Sequence, residues 1–153
     1  MRIFKQRIPI LILTAFIFEL LFLTAGCGKI SQGLQRRKFE FLYRMNNDVS
    51  LLKEYTAEIS RYEDLDFYEQ RMNKFYADVN KLETVNGYGE SRILKEDLMK
   101  LIDDNIRSVN VLRMKQFPPG ENLSGEYEIL SMKEKVYDFL DRINEEIIRV
   151  GKD

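Results

Sequence analysis

Apolar residues recur at alternating steps of three and four along most of this chain, which is the spacing of one face of an α-helix. Four such series occupy segments of nearly equal length, 34–59, 61–85, 90–116 and 124–150. Their seam residues are Leu42, Met45, Val49, Leu52, Thr56 and Ile59; Leu65, Tyr68, Met72, Phe75, Val79 and Leu82; Leu94, Leu98, Ile102, Ile106, Val109 and Leu112; and Ile129, Met132, Val136, Leu140, Ile143, Ile147 and Val150. The pattern predicts four helices of about 40 Å each, at about 1.5 Å per residue.

Local signals place the breaks between these helices. The first and second series differ in register, and the segment from Ser60 to Glu63 fits a capping box that would start the second helix. Gly87 is suited to the left-handed position that ends a helix. The segment 117–124 contains paired prolines, which prevent a helix from continuing, and Ser124 is a good N-cap for the last helix.

The lengths and breaks together predict an all-α fold. Short connections between helices of equal length favour an antiparallel up-down-up-down four-helix bundle over residues 34–153. The charged residues, 32% of the chain, and the three prolines agree with a helical protein. The alternative reading joins the first two segments into one long helix with a skip in its apolar pattern.

The N-terminus has the organisation of an export signal. Arg2, Lys5 and Arg7 precede the segment 8–25, which is apolar except for Glu19. One carboxylate costs about 3 kcal/mol on membrane insertion, whereas each Leu, Ile or Phe contributes about −0.3 to −0.6 kcal/mol. Glu19 therefore weakens membrane insertion without preventing it, and an uncleaved membrane anchor is the alternative to a cleaved signal.

The end of this segment, Thr24-Ala25-Gly26-Cys27, resembles the lipobox of bacterial lipoproteins. The resemblance implies a diacylglyceryl group on Cys27 and cleavage between Gly26 and Cys27. It departs from the usual pattern at Thr24, where Leu is common, and in the charge of Glu19. It implies a signal peptide over 1–26, a lipidated cysteine with a short tether over 27–33, and attachment to the extracytoplasmic face of a cell membrane.

The residue types in the chain exclude several classes of chemistry. The sequence has no histidine and Cys27 is its single cysteine, so histidine-based triads, histidine-ligated metals and thiol catalysis are not expected. Glu90-Ser91 is similar to the catalytic pair of lytic transglycosylases, but the other motifs of those enzymes are absent. We therefore expect no enzymatic activity, no cofactor and no metal site.

Charge limits the partners further. The net charge is −1, and it is −3 without the three basic residues and one acidic residue of the first 26 positions, which argues against nucleic acid. The expected function is a non-enzymatic interaction module that contacts an envelope protein or a cell-wall polymer. Its candidate contact residues lie in the third connection. They are Pro118, Pro119, Glu121 and Asn122.

Two alternatives stay open at this stage. One is a bundle that binds a small ligand or a cation in its interior, and the other is a bitopic membrane protein with an uncleaved first segment. Two features are also undecided from the sequence: Asn105 can be buried or exposed, and the off-seam aromatics Phe39, Phe41, Tyr43, Phe67 and Tyr76 can widen the core or form a partner or glycan surface.

Overall fold

The computed structural model describes the backbone of residues 7–118 and 120–152, and the side chains of residues 32–118 and 120–152. Within these ranges the protein is all-helical, with four helices and no strand. The helices are α1 (Arg7–Glu58), α2 (Asp64–Asn80), α3 (Glu90–Met114) and α4 (Tyr127–Val150). The break near Ser60–Asp64 is confirmed, so the first two apolar series do not form one helix.

The chain divides into two compact units, with the boundary after Arg37. The second unit, from Lys38 onward, contains the last part of α1 together with α2, α3 and α4. In the part of the chain that the structure describes, no helix has an apolar stretch long enough to cross a bilayer. The side chains of the apolar segment 8–25, and those of Gly26 and Cys27, lie outside the described residues.

The apolar stripes meet in one core. All six seam residues of the first series are buried, as are the first five of the second. In α4 the stripe shifts slightly: Phe139 is buried at 8% exposure, while Leu140 and Ile147 are only partly buried. The 3.6-residue period therefore identified the core correctly, with small errors at the edges of the stripe.

The start of α2 differs from the sequence prediction. The helix begins at Asp64, and the carboxylate that reaches back to the preceding turn belongs to Asp64, not to Glu63. Asp64 Oδ2 accepts hydrogen bonds from the backbone N–H groups of Ser60 at 2.9 Å and Arg61 at 2.8 Å. Glu63 instead points to the third connection, where it accepts a hydrogen bond from Gly120 N at 2.9 Å.

The end of α2 also differs, since the helix stops at Asn80 and not near residue 85. Lys95 of α3 donates from Nζ to the carbonyl oxygens of Asn80 at 2.7 Å and Leu82 at 2.8 Å, so free carbonyls at the helix end are satisfied by a neighbouring helix. Gly87 does adopt a left-handed φ of 84°, but in the connecting loop and not at the helix cap.

The start of α4 is three residues later than predicted, because Ser124 is not the N-cap. Leu123 is fully buried and its N–H donates to the carbonyl of Ser60 at 2.9 Å, which holds this part of the chain outside the helix. Glu126, with extended backbone, precedes the first helical residue, Tyr127.

Candidate pocket between α1 and α2

A surface pocket of about 230 Å³ lies between the end of α1 and the start of α2. We call it the α1–α2 pocket. It is lined by Tyr55, Glu58, Ile59, Asp64, Phe67, Tyr68 and Arg71. Three aromatic rings, two carboxylates and one guanidinium therefore surround a single concave surface.

Helical spacing explains how these side chains come together. Tyr55 and Glu58 are three residues apart on α1, and Phe67 and Arg71 are four residues apart on α2, so each pair shares one face of its helix. The seam residues Ile59 and Tyr68 are buried beneath them at the floor of the pocket.

Arg71 is the central group of the pocket. Its guanidinium carbon lies 4.0 Å from the ring centroid of Phe67 and 4.6 Å from that of Tyr55, and one of its N–H groups donates to Glu58. Each ring contact of this kind contributes about 0.5–1 kcal/mol at an exposed site. The Arg71 side chain is 29% exposed and the Phe67 residue is 56% exposed, so both present surface to a ligand.

Asp64 supplies a fixed negative charge at the edge of the pocket. Hydrogen bonds from the Ser60 and Arg61 backbone and from the Ser60 hydroxyl, at 3.1 Å, lower the pKa of the Asp64 carboxyl below its usual value. Asp64 is therefore ionised at neutral pH, which suits binding and orientation and does not suit proton transfer.

Below the pocket, Tyr68 belongs to a buried chain of hydrogen bonds across three helices. Thr56 Oγ1 donates its only proton to the carbonyl of Leu52 at 2.8 Å. The Thr56–Tyr68 contact at 3.1 Å must therefore use the proton of the Tyr68 hydroxyl. The Tyr68 oxygen in turn accepts a hydrogen bond from Asn105 Nδ2 at 3.1 Å, and burial raises the pKa of Tyr68 to about 12.

This chain of donors fixes the orientation of the Asn105 amide. Asn105 is buried at 1% exposure, which settles the question that the sequence left open. Because Nδ2 is the atom that donates to Tyr68, the other amide atom, Oδ1, is buried without a hydrogen-bond partner among the described residues. An unpaired buried carbonyl oxygen is unfavourable for stability, and it marks this layer of the core as unusual.

The third connection, which contains the predicted contact residues, lies against the turn between α1 and α2. Besides the Leu123–Ser60 and Gly120–Glu63 hydrogen bonds, the rings of Tyr62 and Phe117 are 6.4 Å apart. The predicted contact residues Pro118, Glu121 and Asn122 are exposed, whereas Pro119 lies outside the described residues. Asn122 Oδ1 accepts from Ser124 N at 2.8 Å.

A second, smaller pocket of about 120 Å³ lies between α1 and α4. It is lined by Lys53, Thr56, Ala57, Lys133, Val136 and Tyr137. The Lys53 ammonium lies 4.6 Å from the Tyr137 ring centroid, so this lysine already stacks on a ring of the protein itself. Among the described side chains, no group of three carboxylate or thiol residues is placed to hold a metal ion.

Sequence analysis identified only some of the residues that line the α1–α2 pocket. Phe67 was recognised as an aromatic residue off the seam, and it is exposed together with Tyr43 and Tyr76, whereas Phe41 belongs to the core. Tyr55, Glu58 and Arg71 were missed as a group. The four-residue spacing of Phe67 and Arg71 is a detectable signal for a stacked pair, but the contribution of α1 depends on how the two helices pack.

Comparisons with known protein families, with curated proteins and with solved structures give no match for this chain. The chemistry of its own residues therefore carries the functional proposal.

Proposed function

We propose that this protein is a non-enzymatic lipoprotein, anchored through Cys27 on the extracytoplasmic face of a bacterial cell membrane. Its helical domain binds an envelope partner through the α1–α2 pocket. The observation that carries the binding role is the exposed Phe67 ring stacked on the Arg71 guanidinium in a concave surface. Exposed aromatic and arginine side chains in pockets are characteristic of interaction sites.

We also propose that the four helices form an antiparallel up-down-up-down bundle. In support, Arg113 near the end of α3 pairs with Asp66 and Glu69 at the start of α2. Arg142 in the second half of α4 pairs with Asp97 at 2.6 Å and Glu90 at 3.1 Å, both in the first half of α3.

Contacts between α1 and α4 support the same order. Asn46 donates to Asn144 at 2.7 Å, and further along α1 Lys53 stacks on Tyr137, which is earlier in α4. Residues later in α1 therefore contact residues earlier in α4, as in an antiparallel pair of helices.

Within the second unit, the pocket lies at the end of α1 that is remote from Lys38. The helical domain begins its packing near Lys38, and α1 reaches Glu58 about 30 Å further on, at about 1.5 Å per residue. The third connection, which contains Pro118, Glu121 and Asn122, bonds through Gly120 and Leu123 to the turn that precedes the pocket residue Asp64, so the predicted loop lies beside the pocket.

The anchoring is tested by the intact mass of protein extracted from membranes, beside a Cys27→Ala variant. The expected species lacks residues 1–26 and is heavier by a diacylglyceryl group, whereas the variant keeps its signal segment. A full-length, unmodified mass in both proteins would contradict the proposal. It would instead support the bitopic alternative, in which Glu19 stays within the membrane.

The binding role is tested separately, by placing a photo-crosslinking amino acid at position 67. The expected result is a crosslinked adduct on whole cells that is lost when Arg71 is also replaced. Position 76 is the control, because Tyr76 is exposed on the same helix but does not line the pocket. Equal adducts at positions 67 and 76 would show that the pocket is not the contact surface.

A further inference from the structure

The α1–α2 pocket offers hydrogen-bond donors and acceptors beside an apolar surface. The Arg71 guanidinium has five N–H groups and donates one hydrogen bond to Glu58 among the described residues. The carboxylates of Glu58 and Asp64 can accept more bonds than they receive. The rings of Phe67 and Tyr55 supply flat apolar faces at the same site.

The charges at the pocket discriminate between classes of ligand. An anionic ligand would be repelled by Glu58 and Asp64, and a cationic ligand would have to displace Arg71 from its two ring contacts and its ion pair. A neutral ligand meets neither obstacle. If it carries hydroxyl or amide groups around an apolar face, it can use the donors, the acceptors and the exposed Phe67 ring together.

A sugar ring has this combination of properties, since its C–H groups form an apolar face and its hydroxyls both donate and accept. We propose that the α1–α2 pocket binds a sugar residue of a neutral carbohydrate, with the ring packed on Phe67 and its hydroxyls bonded to Arg71, Glu58 and Asp64. This inference rests on the proposed binding function and narrows its partner to the carbohydrate part of a cell-wall polymer.

The size of the pocket limits how much of a carbohydrate it can surround. At about 230 Å³ it is smaller than the roughly 300–1,000 Å³ of pockets that enclose drug-sized ligands. It can therefore surround about one sugar ring and leaves the neighbouring residues of a polymer in solvent. We expect a Kd of about 1 mM for a free disaccharide, with tighter apparent binding to a polymer that presents many copies.

The test uses the protein as extracted from membranes in detergent and two neutral disaccharides, N,N′-diacetylchitobiose and cellobiose. Saturation-transfer NMR measures binding to the wild type and to the Phe67→Ala, Arg71→Gln and Tyr76→Ala variants. We expect at least one disaccharide to bind, the two pocket variants to lose about tenfold in affinity, and Tyr76→Ala to match the wild type. Circular dichroism confirms that each variant is folded.

Two results would overturn the inference. The first is no binding of either disaccharide at about ten times the expected Kd. The second is binding that Phe67→Ala leaves unchanged. A position-67 crosslink to a protein, without any disaccharide binding, would identify a protein partner and reject the carbohydrate while leaving the proposed binding function intact. Failure of Cys27 processing would reject the anchor alone.

Discussion

The side-chain nitrogen of Asn105 in α3 lies 3.1 Å from the hydroxyl oxygen of Tyr68 in α2, and this one hydrogen bond determines the orientation of the buried amide. Since the Tyr68 hydroxyl donates to Thr56, and Thr56 donates to the backbone carbonyl of Leu52, every donor in this chain points from Asn105 toward Leu52. The carbonyl oxygen of Asn105 is left unpaired among the described residues. Two substitutions at this contact therefore have different expected effects.

Tyr68→Phe should destabilise the protein. It removes the hydroxyl that accepts from Asn105 Nδ2, so the buried amide keeps no hydrogen bond at either end, while the phenyl ring still fills the core. The expected loss is about 1–3 kcal/mol in the free energy of unfolding, measured by urea denaturation. An unchanged free energy would show that the chain of hydrogen bonds does not form.

Asn105→Leu should cost little, or stabilise the protein. The substitution removes the unpaired carbonyl oxygen, while the Tyr68 hydroxyl keeps its bond to Thr56. We expect a change within about 1 kcal/mol of the wild type, in contrast to the larger loss for Tyr68→Phe. A loss as large as that of Tyr68→Phe would mean that the carbonyl oxygen has a partner in solution.

Arg71→Lys should lower the stability of the protein although it preserves the positive charge in the α1–α2 pocket. A lysine ammonium can pair with Glu58, but it is not planar and cannot stack between Tyr55 and Phe67. We expect a loss of about 1 kcal/mol in the free energy of unfolding. Lys74→Arg on the exposed surface of α2 is the matched control and should have no effect. Equal results for the two variants would indicate that the stacking contributes nothing.

Asp64→Asn should destabilise the start of α2 in a pH-dependent way. The pKa of Asp64 is lowered in the folded protein, mainly by the backbone hydrogen bond from Ser60, from a usual value near 3.8. Its contribution is thus fully present above about pH 4–5 and is lost as the pH falls through the folded-state pKa. Because Asn can accept only neutral hydrogen bonds from Ser60 and Arg61, we expect a difference of about 1 kcal/mol between variant and wild type at pH 7.

The same difference should close at acidic pH, because the wild-type carboxylate is then protonated. Thermal melts of the variant and the wild type between about pH 2 and pH 7 measure this difference, because the range includes the titration of the carboxyl group. Glu54→Gln, at an exposed position on α1, is the control for loss of one negative charge. A difference that stays constant with pH would contradict the role of the ionised carboxylate.

Asp48→Asn should raise the melting temperature at pH 7. Partial burial and repulsion from Asp78 raise the pKa of Asp48, while Arg44 acts in the opposite direction. A raised pKa means that the folded state binds the proton more tightly than the unfolded state, so ionised Asp48 lowers stability at neutral pH. The gain should diminish as the pH falls through the titration of Asp48. A lower melting temperature in the variant at pH 7 would show that the ionised Asp48 carboxylate stabilises the folded protein.

The sequence predicted the helical character and the core because both follow from a local period. The seam residues of α1, for example, are all buried. The ends of the helices were less predictable, since contacts from elsewhere in the chain decide them. Lys95 binds the carbonyls at the end of α2, and Ser60 holds Leu123 outside α4.

The pocket could not be derived from the sequence for a related reason. Tyr55 and Arg71 are sixteen positions apart on different helices, and their contact depends on the rotation of each helix about its own axis. Neither α1 nor α2 alone indicates that the other will supply a stacking partner. The burial of the Asn105 amide could not be derived from the sequence either, because its hydrogen-bond partner, Tyr68, belongs to another helix.

The hydrogen bond between Leu123 and Ser60 changes how the third connection behaves over time. Long exposed loops normally exchange their amide protons within seconds and are cut readily by proteases. Here the Leu123 amide can exchange only when two separate connections come apart, which requires a larger opening of the domain. Leu123 is therefore the best protected position of the segment, whereas the Gly120 amide donates to the exposed Glu63 carboxylate and should exchange sooner. A proteolytic cut after Gly120 would separate α3 from α4 in the chain but leave the buried Leu123 bonded to Ser60 at the start of the second fragment.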